Sequence, residues 1–218
     1  QRQMCIRDRS YSSEFPWMAD GANGEVAMNY TFKKADEGWK ALSVYRFKRF
    51  EQEVYYREAW LRNDTDIEFQ LADILLPDGV LRVDKAMSVN PVEAHLGHYA
   101  LPHLTNTIKE KTIKKHGYTA YVIENEKHQL AMVPLYGWKE VGFEHTSGLH
   151  PESDECTVLN AKEIFTGEKI FVTLLLWNKA GTKVDNKRLF PVKDVLVSHD
   201  KKSVTVLLND GTRKEVVW

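Results

Sequence analysis

Three imidazoles fall within one short stretch, His95-Leu96-Gly97-His98-Tyr99-Ala100-Leu101-Pro102-His103, between segments that read as ordinary sheet. An imidazole in such a place could bind a sugar hydroxyl, serve as general acid or base, or ligate a metal. The plain alternative is a ring packed on an aromatic neighbour with its nitrogens bonded to backbone. One uninterrupted strand would put His95 and His103 on one face and His98 on the other. Pro102 argues against a central strand, since proline offers no ladder donor and holds Leu101 extended or in a turn. The stretch therefore reads as a strand that ends near Tyr99 and runs into a bend. Zinc sites show tighter ligand spacing, so neither a metal nor another cofactor is expected.

A second group, Glu144, His145, His150, Glu152 and Asp154, occupies what reads as an irregular loop. Loops on a rigid sheet are where sites are commonly built. Pairing Glu144 and His145 with the bend at 95–103 would give acid and base groups, with His98, His145 and Glu144 as the catalytic candidates. Sugar-binding surfaces use exposed aromatic rings beside polar groups. Trp17, with Asp20 nearby, and Trp138 are candidates for that role, as is Tyr136; Trp60 lies in a strand and reads as core. Substrate contacts are thus expected at Trp17, Asp20, His95, His103 and Trp138. The acids Asp64, Asp66, Asp154 and Glu155 read as solvated charges.

The elements that must position these residues are strands. Segments rich in Tyr, Phe, Val and Trp at 41–50 and 53–61 suit a pleated surface. Strands over 69–75 and 80–88 close on Pro77-Asp78-Gly79, where glycine would take a positive φ. Further pairs flank Lys114-Lys115-His116-Gly117, whose lysines read as a solvated edge, and Thr166-Gly167-Glu168. The last strands, 203–208 and 213–218, surround Asn209-Asp210-Gly211-Thr212, a strong hairpin signal. About a dozen short strands with regular turn signals predict an all-β fold, a large antiparallel β-sandwich of the supersandwich kind. Residues 10–218 read as one domain. Residues 1–9, QRQMCIRDR, read as a non-native leader of the kind left by adapter read-through, with Cys5 then foreign to the protein.

With 218 residues, 43% hydrophobic and 28% charged, the chain has an ordinary globular composition. A net charge of −1 disfavours a generic nucleic-acid surface. No apolar run approaches the roughly 20 residues of a membrane span. Two cysteines, Cys5 and Cys156, make no disulfide framework. There is no GxGxxG, P-loop, GxSxG or HExxH.

Tyr11-Ser12-Ser13 with Phe15-Pro16-Trp17, Ala27-Met28 with Tyr30, and His98-Tyr99-Ala100-Leu101-Pro102-His103 together resemble the C-terminal β-domain of bacterial DUF2264-type proteins. In that family a helical toroid precedes a β-sandwich, as in heparinase II/III-like polysaccharide lyases. The resemblance implies a bacterial protein of periplasm or cytoplasm. It also implies a carbohydrate partner, a uronic-acid-bearing oligo- or polysaccharide, and a helical domain upstream that carries the main acid or base. Segment 10–24, with Tyr11, Phe15, Trp17 and Met18, would cross between the domains, and this chain alone would be inactive. Two rival readings remain: a stand-alone carbohydrate-binding module, and a mutarotase-like sugar epimerase with a histidine and a carboxylate converging on a concave sheet.

Overall fold

The computed structural model of the chain describes residues 30–34, 38–41, 44–51, 54–61, 64–76, 79–104, 108–150, 153–183 and 186–218. Among these, fourteen strands and one four-residue helix, α1 (Asn186–Leu189), make an all-β fold. Two very long strands, β6 (Gly79–Pro102) and β11 (Ser153–Lys179), pair antiparallel along most of their length.

Neither long strand is straight. Phe165 and Phe171 would stand about 20 Å apart in a flat strand at about 3.3 Å per residue. Their ring centroids are 5.7 Å apart, and Lys169 reaches Glu163 at 3.0 Å. The bend falls where the register passes from Phe165↔Val92 to Gly167↔Ser88, so that Thr166 faces the three residues Val89, Asn90 and Pro91. Gly167 sits there at φ 76°, a conformation that costs other residues energy. The Thr166-Gly167-Glu168 signal thus marks a bulged bend within one strand, not the hairpin expected between two.

Because both long strands bend together, their halves fall into two layers. In the first, β3 (Val44–Glu51), β4 (Val54–Leu61) and β5 (Asp64–Leu76) lead to the first half of β6. Beyond it lie the second half of β11, then β9 (His128–Tyr136), β8 (Tyr118–Glu124) and β7 (Lys109–Lys115). In the second layer, β1 (Tyr30–Lys34) pairs β2 (Gly38–Ala41) and the far half of β6, while β10 (Glu140–His150) pairs the first half of β11. Leu101, Leu159, Ala161 and Phe165 of the second layer share a buried core with Leu71, Val80, Met132, Phe171 and Leu175 of the first. Tyr121 and Phe143, on strands that do not pair, meet edge-on at 5.8 Å across this interior. This is a sandwich made by folding one sheet.

The other face of the first layer is covered by a three-stranded sheet, β12 (Val192–Val197), β13 (Ser203–Leu208) and β14 (Arg213–Val217). Val204, Val206 and Val216 pack there on Leu81, Val83, Val172 and Leu174. Tyr56 of β4 accepts a hydrogen bond from the Val217 amide at 3.3 Å. Burial, then the Asp194 carboxylate, pushes the Tyr118 phenol above its ordinary value.

Three local expectations are revised. The strand expected to end near Tyr99 runs on to Pro102, opposite Cys156. Proline is tolerated because it is the last residue of the strand, and its carbonyl accepts from Asn125 and from the Leu104 amide. The expected loop at 144–152 is largely strand: residues through Ser147 continue the β10–β11 ladder, with an irregularity before His150. Gly79 is a strand residue without positive φ; a Cβ there would stand 2.1 Å from the Leu175 carbonyl oxygen, so close backbone approach requires the glycine. By contrast, His116 (φ 52°) and Gly117 (φ 81°) form the two-residue turn between β7 and β8, as a primed hairpin turn requires.

A charged cluster is enclosed between the layers. Arg82 gives Asp73 hydrogen bonds of 2.8 and 3.4 Å, and Asp84 lies 3.9 Å from the same guanidinium. Their side chains are at most 1% exposed. Asp73 and Arg82 are direct cross-strand partners, so the pair fixes β5–β6 register as it fills the core.

Candidate functional site

At the end of the sandwich opposite the bend, polar side chains of the two layers collect and meet. Strand β11 supplies Thr157, whose cross-strand neighbours are His145 on β10 and Leu101 on β6. Two residues past Leu101, His103 is held by its amide on the Glu155 carbonyl at 3.0 Å. His103 Nε2 then lies 2.8 Å from Thr157 Oγ1, and His145 Nδ1 lies 3.5 Å from the same hydroxyl. The two rings meet edge-on, with centroids 6.4 Å apart.

Each outer ring nitrogen has a carboxylate. Glu155 Oε2 is 3.4 Å from His103 Nδ1, and Glu110 Oε1, on β7 of the other layer, is 3.2 Å from His145 Nε2. The result is a line Glu155–His103–Thr157–His145–Glu110. Its centre is buried, Thr157 being 0% exposed, while the Glu155 end is open at 76%, the His145 side chain is 64% exposed and Glu110 is 30% exposed.

A carboxylate only accepts, so the contacts to Glu155 and Glu110 favour a hydrogen on each outer ring nitrogen. The two inner nitrogens then share the single hydroxyl of Thr157 between them.

The other expected residues are placed differently. Glu144 adjoins His145 in a strand, so it points to the opposite face, where it pairs with Lys162 at 2.5 Å. His95 lies in β6 opposite Thr31 and Lys162. His98 belongs to a bulge in which Gly97 and His98 face Asn160, between the pairs Leu159↔Tyr99 and Ala161↔Leu96. Trp138 stacks on Phe171 at 4.0 Å and gives its indole hydrogen to Thr173 at 2.8 Å, so that ring face is taken by the core. Tyr136 is 44% exposed. Trp17 and Asp20 lie outside the described residues. Thr157, Glu110 and Glu155 were not among the expected site residues. Glu110 is hidden in a lysine-rich edge strand and Thr157 in a run of good strand formers, so only the strand register brings them together. Burial raises the thiol of neighbouring Cys156 above its ordinary value, which keeps it in the inert neutral form. Among the described residues, no group of three or more His, Cys, Asp or Glu side chains could hold a metal, and no helix is long and apolar enough to cross a membrane.

No family model matches this sequence, and no curated protein matches it. Solved structures do. A heparan sulfate lyase, HepC, from Pedobacter heparinus superposes with a TM-score of 0.55 at 13% identity, covering 95% of this chain and 33% of the lyase. The heparinase III BT4657 gene product gives 0.55 at 10% identity, covering 86% of this chain and 29% of that one. The likeness is one of fold. The chain spans about a third of the length of these lyases.

Proposed function

We propose that this chain is the β-sandwich domain of a two-domain, polysaccharide-degrading enzyme of the heparinase II/III-like, DUF2264-type kind, acting on uronic-acid-containing glycans. The observation that carries this reading is the superposition of 95% of the chain on one third of a heparan sulfate lyase. The remainder of such an enzyme is the helical domain with the principal catalytic groups. In this reading the sandwich supports that domain and lends one wall to the glycan cleft. The Glu155–His103–Thr157–His145–Glu110 line forms part of the wall and moves a proton there.

The test compares the 218-residue chain with a protein carrying the upstream helical region of its gene. The longer protein is expected to degrade uronic-acid oligosaccharides and the chain alone to be silent. A lyase leaves the ultraviolet absorbance of an unsaturated uronate, whereas a hydrolase leaves new reducing ends without it. Rapid turnover by the monomeric chain, or none by the longer protein on any uronate polymer, would overturn the reading.

A further inference from the structure

The turn between β8 and β9 holds a side chain that does more than the turn requires. Asn125 follows β8, and its Oδ1 accepts from the Lys127 and His128 amides at 2.8 Å each. Its own backbone amide reaches the His128 carbonyl at 3.0 Å. Asparagine and aspartate both close turns in this way, with a side-chain oxygen on the backbone amides just ahead. An acceptor is all that the turn needs, and aspartate would supply it. The amide nitrogen is what asparagine adds.

That nitrogen is spent on the other layer of the sandwich. Asn125 is 4% exposed, and its Nδ2 donates to the carbonyl of Pro102, the last residue of β6, at 3.0 Å. The same carbonyl accepts from the Leu104 amide at 3.1 Å. This is the bond of a γ-turn, a form common at strand ends, with His103 at its centre. A carbonyl oxygen offers two lone pairs, and both are engaged here.

The place of His103 in the chain gives that tie its consequence. The β6–β11 ladder ends at the pair Cys156↔Pro102, so His103 stands one residue beyond the last pair. Its amide is held by the Glu155 carbonyl at 3.0 Å, and its ring meets Thr157 Oγ1 at 2.8 Å. The turn that carries Asn125 is anchored in its own layer, by the β8–β9 ladder and by the Ala180 amide on the Lys127 carbonyl at 2.9 Å. Asn125 therefore gives the γ-turn a fixed point outside the layer to which His103 belongs.

We infer that Asn125 is the positioning residue for His103: by holding the Pro102 carbonyl from the opposite layer, it sets the γ-turn and with it the ring on Thr157. The inference rests on the reading above for why the place of that ring matters. It is tested on the ring itself and without turnover, so the two fail separately.

The experiment follows the histidine rings by nitrogen NMR in the full 218-residue chain, at alkaline pH where imidazole is neutral. Spectra of His103→Gln and His145→Gln assign the two rings. In the unaltered chain the His103 nitrogens are expected at the separate shifts of one tautomer, with the hydrogen on Nδ1 towards Glu155. Asn125→Ser keeps a short acceptor for the turn but is too short to reach Pro102. It is expected to draw the two His103 shifts together, as in a ring free to exchange tautomers. Hydrogen exchange of the His103 amide is expected to quicken by about tenfold. Gln129→Ala is the control, because Gln129 braces the same corner through Glu124 at 2.7 Å and the Thr182 carbonyl at 3.1 Å. It is expected to leave the His103 spectrum unchanged. Thermal melting shows whether each variant folds, and Asn125→Asp, which keeps the turn acceptor at full reach, stands in if Asn125→Ser does not. An unchanged His103 spectrum in the folded Asn125 variant, the same change in Gln129→Ala, or averaged His103 shifts in the unaltered chain would overturn the inference. If the longer protein shows no turnover, the enzyme reading fails and the ring measurement still decides the role of Asn125.

Discussion

Arg82, Asp73 and Asp84 form one polar cluster of the folded sheet; Glu155, His103, Thr157, His145 and Glu110 form another. The first is shut between the layers, with side chains at most 1% exposed. The second has a buried centre, and His145 and Glu155 on either side of it face solvent. The first joins neighbouring strands of one layer, where a full charge away from water must keep its partner. The second spans β11, β10 and β7, two layers of the sandwich, through neutral-capable rings and a hydroxyl. Enclosure makes the arginine cluster a determinant of register, and access at the histidine line leaves room for the role proposed for it above. The two clusters differ in exposure more than in the kind of residue.

The sharpest break of that contrast is Arg82→Ala. Leaving Asp73 buried without its guanidinium is expected to cost about 3–5 kcal/mol, read as a drop in the urea unfolding midpoint. A loss below about 1 kcal/mol would be typical of a surface pair and would remove the distinction drawn here. Next comes Thr157→Val, which keeps the shape but takes the hydroxyl shared by His103 and His145. Its expected cost is about 1–3 kcal/mol, since two ring nitrogens lose a common partner beside a buried position. In the longer protein proposed above it should also change the pH profile of turnover, which a purely structural threonine would leave in place. Gly167→Ala tests the bend that separates the clusters. A side chain at φ 76° with nothing within 4 Å meets backbone strain and no clash, so about 1–2 kcal/mol is expected from thermal melting. The smallest stability effect belongs to His145→Ala, within about 0.5 kcal/mol because the ring is surface-exposed. That same change should lower turnover of the longer protein proposed above severalfold. A silent His145→Ala in both assays would reduce the line to a surface hydrogen-bond network.

Much of this was set by the sequence. Period-two alternation with Val, Ile, Tyr and Phe marks strand wherever it occurs, because a pleated surface buries one face of each. Hairpins at 209–212 and 116–117 announce themselves because Asp-Gly and His-Gly supply the backbone angles that tight turns need. Other features required the tertiary structure. The 165–169 segment carries a turn signal whether the chain reverses or merely bends; the continuous ladder of β6 along β11 decided for a bend. Pro102 argued for an early strand end until its place as the last strand residue made its absent amide harmless. Glu144 and His145, adjacent in sequence, are both expected beside the bend at 95–103, yet strand alternation sends them to opposite faces and only His145 meets His103. His103 and Thr157 are 54 positions apart, and nothing local in either announces the other. The sequence by itself determined that this protein is made of strands and roughly where they turn, since those choices rest on local backbone preference and burial. Only the tertiary structure decided which histidines meet, because that depends on register across paired strands and on where a long sheet folds.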